Sequence, residues 1–356
     1  DNELSEIRDG FDRTIVIERT DGRIIKITGP IGREITYTYN GSGMLASSTD
    51  AEGDTLGYEY NGTLLSKTIK PDGSFREYQY INLNGKMVIK HTIDEEGNSD
   101  TFNYYPELGY TEYINPSGIY ERHYYNEQNL KTKIEYADGS FISMEYDDDN
   151  NMVKQTDQLG RVYSYSYDDA RNITQAIDPA GSIEKWTYND FNKISSYTDK
   201  LGNTTGYSYD INGNLTEIHY PDLTAEYYSY NALGLLTEKT DRNGNRTYYD
   251  YDSYGYMASV RNAEGHVEHI ENDELGNIVK FTDADSNSTY FEYNNDNKVI
   301  LKTDSMGYTK SFEYNSRKDL VRETDRNGNT KVYQYDKRHL LVQSINPLGE
   351  ITEYKY

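Results

Sequence analysis

The chain has 356 residues, with 60 acidic side chains against 36 basic ones, a formal net charge of −24 and no cysteine. A pI near 4.6 argues against binding to a phosphate backbone, which needs a basic face. Without cysteine there is no disulfide or thiolate chemistry, as in a reducing compartment or in a secreted bacterial protein that does without disulfides. No apolar stretch approaches the ~18 residues of a membrane span, so membrane insertion is not expected.

Tyrosine decides whether such a chain folds. Hydrophobic residues make up only 35% of the chain even when tyrosine is included, and a highly charged chain this poor in aliphatic side chains would ordinarily be disordered. The chain nevertheless has 39 Tyr. Each Tyr offers a large ring for burial and a hydroxyl that tolerates water, which suits thin structures. Because Tyr, Thr and Ile also favour strands, the composition predicts a folded β protein.

The tyrosines recur at a nearly constant spacing. We define the anchor as the second Tyr of each Tyr-x-Tyr pair; counted from the N-terminus, anchors fall at Glu18, Tyr39, Tyr60, Tyr80 and Tyr104. From Tyr104 onward the spacing is constant at twenty-one positions, the same as between Tyr39 and Tyr60. The later anchors are Tyr125, Tyr146, Tyr167, Tyr188, Tyr209, Tyr230, Tyr251, Asn272, Tyr293, Tyr314, Tyr335 and Tyr356. The chain is therefore predicted to be a single array, residues 1–356, of roughly sixteen units without a linker.

Two steps depart from this constant spacing. One residue is lost between Tyr60 and Tyr80 near NGTLL, which predicts a tighter first turn. Three residues are gained between Tyr80 and Tyr104 around INLNGKMVIKHTIDEEG, which predicts a longer hairpin. The chain begins at Asp1 rather than Met, and we expect it to be an excised or processed block of a longer protein.

Each unit carries two turn signals between strands. A turn former, often Gly, comes four residues after the anchor, and an apolar residue comes six residues after it. Asp and Gly follow at eleven and fourteen residues, in the pairs Asp178 and Gly181, Asp199 and Gly202, Asp241 and Gly244, and Asp325 and Gly328. Gly permits positive φ, and Asp bonds its own backbone in turns. No segment has a helical period, so the units are predicted to be β-hairpins of an all-β antiparallel sheet.

A second ring stands nineteen residues after each anchor. Since residues two apart share one face of a strand, these rings should form an aromatic ladder that stacks across adjacent hairpins. The ladder includes Tyr165, Trp186, Tyr207, Tyr228 and Tyr249. It is a candidate surface for carbohydrate, because sugar C–H faces pack on rings. Recurrence in nearly every unit favours instead cross-strand packing that holds the sheet together.

Other chemistry is sparse, and neither a catalytic site nor a cofactor is predicted. His266 and His269 are expected on one strand with odd spacing, which points their rings to opposite faces and away from a shared metal. The DRNGN strings at Asp241 and Asp325 share part of a calcium loop but lack its later bidentate Glu. An Asp-initiated turn is the preferred interpretation of both strings.

The repeated pattern resembles the YD repeats of Rhs proteins, of toxin-complex shell subunits and of teneurins. Two copies here are YDINGNLTEIHYPDLTAEYYSYN from Tyr209 and YNALGLLTEKTDRNGNRTYYDYD from Tyr230. The resemblance covers nearly the whole chain. It implies hairpins side by side in a long curved sheet that forms part of a spiral, hollow shell. Many bacterial members enclose a C-terminal toxin in that shell.

The departures from the family limit what the resemblance implies. The strings IDPAGSIEKWTY and INPLGEITEYKY are plain repeat units rather than the self-cleaving segment of shell-closing Rhs proteins. Autoproteolysis and toxicity are therefore not expected of this block. The resemblance predicts a non-enzymatic part of a secreted or cell-surface bacterial shell, whose partner is the rest of the parent chain or an enclosed polypeptide. Carbohydrate binding through the ladder is the alternative.

Overall fold

The computed structural model describes residues 3–11, 13–30, 32–336 and 339–356. Those residues form one open antiparallel sheet of 34 strands and a single short 3-10 helix. The all-β fold predicted from the two-turn repeat is therefore confirmed. Its reason is local: rings and β-branched residues fill the strands, and a turn former interrupts the chain at short, regular intervals.

The strands follow one another along the chain. The first group is β1 Glu6–Arg8, β2 Thr14–Thr20, β3 Arg23–Thr28, β4 Glu34–Tyr39, β5 Leu45–Thr49, β6 Thr55–Asn61, β7 Leu64–Ile69, β8 Phe75–Leu83, β9 Lys86–Asp94, β10 Ser99–Tyr105, the 3-10 helix Pro106–Leu108, β11 Tyr110–Ile114 and β12 Tyr120–Tyr125. The second group is β13 Lys131–Tyr136, β14 Phe141–Tyr146, β15 Met152–Thr156, β16 Val162–Tyr167, β17 Ile173–Ile177, β18 Ile183–Tyr188, β19 Ile194–Thr198, β20 Thr204–Tyr209, β21 Leu215–His219, β22 Ala225–Tyr230 and β23 Leu236–Thr240. The third group is β24 Arg246–Tyr251, β25 Met257–Arg261, β26 Val267–Asn272, β27 Ile278–Thr282, β28 Ser288–Tyr293, β29 Val299–Thr303, β30 Thr309–Tyr314, β31 Leu320–Thr324, β32 Thr330–Tyr335, β33 Leu341–Ile345 and β34 Ile351–Glu353.

The chain groups into two compact units. The first unit comprises residues 1–56, 230–239 and 245–356, and the second comprises residues 57–229 and 240–244. Within each unit, successive strands pair antiparallel, as β16 does with β17 and β30 with β31. The first unit therefore combines hairpins from the beginning of the chain with hairpins from its end.

A β-bulge marks the anchor of the regular hairpins. In the hairpin of β16 and β17, Ser166 pairs with Gln175 but Tyr167 pairs with Ile173, so Thr174 is the extra residue. The same shift lies between Glu18 and Arg19 in β2. Arg19, not Glu18, therefore occupies the first anchor position. Counting back at constant spacing was wrong there, because the following turn is one residue tighter.

Both predicted irregularities are confirmed. Asn61 pairs with Leu64, which leaves a two-residue loop where regular units have a five-residue turn. Strands β8 and β9 have nine residues each and are joined by the two-residue loop between Leu83 and Lys86. The long hairpin therefore extends three residues beyond its anchor before it turns.

The part of the sheet that the structure describes has no apolar core. No hydrophobic side chain among the described residues is buried, and the buried polar residues there are Thr92, Glu112 and Ser259. In β18 the exposed and half-buried residues alternate, with Trp186 and Tyr188 on the half-buried face. Stability must therefore come from cross-strand pairs and from hydrogen bonds in the turns.

Candidate functional site

Many of the anchor tyrosines connect their hairpin to the preceding one. The hydroxyl of Tyr167 donates a hydrogen bond to the carbonyl oxygen of Met152, fifteen residues earlier, at 2.8 Å. The same bond is made by Tyr39, Tyr104, Tyr146, Tyr188, Tyr209, Tyr251, Tyr293 and Tyr314. Partial burial raises the pKa of Tyr167, which keeps its hydroxyl a donor. Spacing revealed the position of the anchors, but it did not reveal this bond.

Asn272, which breaks the tyrosine series, keeps the bond. Its Nδ2 donates to the carbonyl oxygen of Met257 at 2.9 Å, again fifteen residues earlier. An amide and a phenol share little except a hydrogen-bond donor at the end of a planar group. At Asn272, as at Tyr167, the anchor side chain therefore supplies a donor that reaches the neighbouring hairpin.

The predicted ladder residues occupy the same position in β16, β18, β20, β22 and β24. Successive rings of the ladder therefore lie two strands apart. Two strands span about 9.6 Å, beyond the reach of ring stacking. Four of these rings each face a residue of the strand between. In the second unit Tyr165 faces Ala176, Trp186 faces Tyr197 and Tyr207 faces Ile218, while Tyr228 lies in β22; in the first unit Tyr249 faces Val260.

Trp186 and Tyr197 show what the ladder does locally. Their ring centroids are 5.5 Å apart and the planes are tilted by 32°. The Tyr197 hydroxyl donates to Oε1 of Glu184, and this bond, with desolvation, raises the pKa of Tyr197 to about 12. The ladder rings are half-buried on the sheet. Their contacts therefore consist of cross-strand pairing, and carbohydrate binding there stays a prediction.

The predicted Asp and Gly positions form the second turn. Backbone φ is +81° at Gly181, +86° at Gly202, +83° at Gly244 and +80° at Gly328. In one of these turns, Oδ1 of Asp199 accepts the backbone N–H groups of Leu201 and Asn203 at 2.8 and 2.9 Å. The Asn203 side chain and these backbone donors lower the pKa of Asp199. The turns are thus held by the carboxylate of their first residue.

Hydrogen bonds of the same kind hold the DRNGN string at Asp325, which shares part of a calcium loop. Oδ1 of Asp325 accepts backbone N–H groups of Asn327 and Asn329, and Oδ2 accepts the Asn329 amide at 2.9 Å. Within the described chain, no cluster of three or more His, Cys, Asp or Glu side chains has metal-binding geometry. His266 closes a turn outside the strand on which it was expected, since β26 begins at Val267.

A contact within the first unit joins hairpins that are far apart in sequence. Nη1 of Arg13, in the first turn, donates to the carbonyl oxygen of Tyr254 at 3.1 Å, across 241 residues. The Phe11 ring lies against Gly255, where an added Cβ would come within 2.5 Å of the ring. Glycine is required there for this approach as well as for its φ of +82°.

A second contact in the first unit also joins an early turn to a late turn. Nζ of Lys318 lies 2.9 Å from the carboxylate of Asp54 and 3.1 Å from that of Asp296. These two bonds raise the pKa of Lys318. Tips of early turns therefore meet tips of late turns at two places with similar sequence separation. We call this edge-to-edge contact the seam.

A cavity of about 580 Å³ lies along the seam. Its walls include Phe11, Arg13, Arg33, Tyr256 and Leu275. The guanidinium of Arg13 lies 5.1 Å from the Phe11 ring and 5.8 Å from the Tyr256 ring. Sequence reasoning missed the seam, because no local pattern signals a contact between turns so far apart.

Side-by-side hairpins that share an anchor bond define a β-hairpin repeat protein. Residues 20–55, 146–183, 188–225, 230–267 and 314–351 match the RHS Repeat family, and together they make up more than half of the chain. The chain belongs to this family, as the YD pattern predicted. Among curated proteins, none matches the chain.

Three solved structures have a similar fold. A Photorhabdus luminescens Tc holotoxin pore with a mutation in TccC3 has a TM-score of 0.71 at 13% identity over 97% of this chain and 22% of the other. The TcdB2-TccC3-TEV structure has a TM-score of 0.72 at 13% identity over 97% and 22%. The TcdB2-TccC3-Cdc42 structure has a TM-score of 0.70 at 12% identity over 94% and 21%.

These identities establish a shared fold alone. The present chain spans about a fifth of the length of the solved chains that it matches. In the part of the chain that the structure describes, no helix has the length and apolar character to cross a membrane.

Proposed function

We propose that this chain is a non-enzymatic wall segment of a larger Rhs-repeat protein of bacteria, secreted or displayed at the cell surface, and that this wall encloses or scaffolds a polypeptide. The observation that carries the proposal is the seam. A sheet one layer thick can enclose a volume only if its hairpins are joined side by side and its rows of turns are also joined to one another. Anchor bonds join neighbouring hairpins, and the seam joins one row of turns to another.

The family and the charge support this function. The chain belongs to the RHS Repeat family, and its fold resembles chains of Tc toxin structures. A net charge of −24 keeps such a wall soluble and favours a basic cargo. The partner is then the remainder of the parent chain or a polypeptide that the completed wall encloses.

A low-resolution envelope from electron microscopy or solution scattering tests the proposal. We expect a curved wall with an open interior. A flat ribbon, or a filled globule without a concave surface, would contradict it. Cargo enclosure is tested in the parent protein, where the enclosed polypeptide should resist protease until the wall is opened.

Seam variants sharpen that test. Phe11→Ala combined with Lys318→Ala removes the ring on Gly255 and the cation between Asp54 and Asp296. The radius of gyration should increase, because the rows of turns separate while the hairpins persist. Phe191→Ala is the matched control, since that turn-tip ring is already 66% exposed. An unchanged radius in the seam variant would remove the observation on which the proposal rests.

Carbohydrate recognition by the aromatic ladder is the alternative function. It predicts glycan binding that is lost in Trp186→Ala and Tyr207→Ala. The half-burial of both rings and the contact of Trp186 with Tyr197 give it no added support. A glycan array on the folded chain tests it directly.

A further inference from the structure

The repeat is interrupted in the second unit between Phe75 and Tyr125. After Tyr104 the usual Asp or Asn turn is replaced by the 3-10 helix Pro106–Leu108, which ends at Gly109 with φ of +69°. The preceding hairpin, β8 and β9, is longer than a regular one. A recess therefore forms at the turn end of β10 and β11, beside the extended hairpin.

The recess is a pocket of about 250 Å³ with aromatic walls. It is lined by Leu83, Tyr104, Tyr105, Pro106, Gly109, Tyr110, Thr111, Tyr125, Asn126 and Asn129. Its volume equals that of about eight water molecules at ~30 Å³ each, enough for one sugar ring. Tyr105 and Tyr125 are each 37% exposed, so their rings are accessible from solvent.

Contacts specific to this segment hold the rings in place. The centroid of Tyr110 lies 4.7 Å from that of Tyr105 and 5.1 Å from that of Tyr124. The Arg122 guanidinium lies 5.6 Å from the Tyr110 ring, and its Nε donates to buried Glu112 at 3.1 Å. The aromatic wall is thus preorganised before any ligand arrives.

The pocket also offers hydrogen-bonding groups that the fold does not use. Among the described residues, the hydroxyls of Tyr105 and Tyr125 have no hydrogen-bond partner, nor do the side-chain amide nitrogens of Asn126 and Asn129. The anchor hydroxyl of Tyr104, by contrast, is bonded to the carbonyl oxygen of Ile89. The Oδ1 of Asn126 accepts backbone N–H groups of its own turn, which fixes the side chain and leaves its NH₂ available.

We infer that this pocket binds a neutral saccharide. Ring faces receive the apolar C–H side of a sugar, and phenol and amide groups bond its hydroxyls. Glu107 and Glu127 lie in the two turns that supply lining residues, and their charge disfavours an anionic sugar. The site is local, unlike the ladder, which recurs in nearly every unit.

Saturation-transfer NMR with neutral hexoses and N-acetylhexosamines, each as its methyl glycoside, tests the inference on the whole chain. At least one saccharide should bind. Tyr105→Ala should weaken that binding by about fivefold or more, the loss expected for an aromatic contact. Tyr125→Phe keeps the ring and should weaken binding less than Tyr125→Ala does. Circular dichroism verifies that each variant is folded.

Tyr227→Ala is the matched control, because Tyr227 is 49% exposed on β22 in the same unit. Its binding should equal that of the original chain. Failure of every saccharide to bind the folded chain overturns the inference. Binding that survives Tyr105→Ala but is lost in Trp186→Ala also overturns it, since the site is then the ladder. These results leave the wall function untouched, because that function rests on the seam.

Discussion

From β14 onward most hairpins share one set of contacts, whereas residues 75–125 add contacts of their own. The regular hairpins use an anchor hydroxyl on a carbonyl and a turn closed by Asp or Asn. The irregular segment uses a row of three tyrosine rings and a buried carboxylate. Identical contacts build a uniform wall, and a local departure creates a recess that a uniform wall lacks.

Deletions within the regular hairpins should have the largest effect on folding. Removing residues 189–209, one complete unit, should keep a cooperative unfolding transition, because both turns and both faces stay in register. Removing residues 189–198 should abolish it, since the two kinds of turn exchange places. Circular dichroism during urea denaturation measures both. Equal tolerance of the two deletions would contradict the register argument.

The irregular segment should be most sensitive at Glu112. Its carboxylate accepts hydrogen bonds from Arg122 at 3.1 Å and Asn103 at 3.0 Å, and Glu112 is among the few buried residues. Glu112→Ala should lower the free energy of unfolding by about 2 kcal/mol, because two hydrogen bonds to a buried carboxylate are lost.

Glu145→Ala is the matched control in a regular hairpin. Its bond to Lys154 is 2.7 Å long, but the Glu145 side chain is 61% exposed. The loss there should stay below about 0.5 kcal/mol. Similar losses in both variants, measured by urea denaturation, would show that burial of Glu112 adds nothing.

Removing an anchor hydroxyl should also lower the free energy of unfolding differently in the two regions, by a smaller amount. Tyr251→Phe removes the hydrogen bond to the carbonyl oxygen of Leu236 and should lower the free energy of unfolding by about 1 kcal/mol. Tyr125→Phe should leave stability nearly unchanged, because its hydroxyl has no partner among the described residues. The reverse order in thermal unfolding would mean that the bond contributes nothing to stability.

Alkaline titration should produce the smallest difference in stability. It concerns Tyr197, which faces the ladder residue Trp186 in a regular hairpin. The bond to Glu184 raises the pKa of Tyr197 from 10 to about 12, so the folded state favours the protonated phenol. Its stabilisation is complete below about pH 10 and is lost as pH rises toward about 12. Tyr197→Phe should remove this part of the alkaline decline in thermal midpoint. An unchanged decline would assign it to other tyrosines.

The repeat was predictable because its signals are local. The turn formers and the alternation of rings fixed the hairpins, and the insertion near Asn84 foretold the long one. At Glu18 the count failed, because a tight turn shortened the spacing and moved the bulge to Arg19. A count of residues cannot tell a shortened turn from a shifted strand.

The seam, the ladder contacts and the pocket were harder to predict, since they depend on residues that are distant in sequence or on departures from the repeat. Nothing in the residues near Arg13 names Tyr254 as its partner 241 residues away. The ladder was recognised from spacing, but the role of Tyr197 between its rings needs the strand register. The pocket at Tyr105 arises where the repeat fails, and a search for regularity passes over such a place.

The anchor bond also determines how the array responds to mechanical force. Each bond ties a hairpin to the one before it, in the direction in which the hairpins succeed one another. Tension applied in that direction loads the bonds in series, so the weakest link ruptures first. Each rupture then releases one unit, whose roughly 70 Å of extended chain replaces the about 9.6 Å that two strands span, a gain in length of roughly 60 Å. A pulled array would lengthen in equal steps.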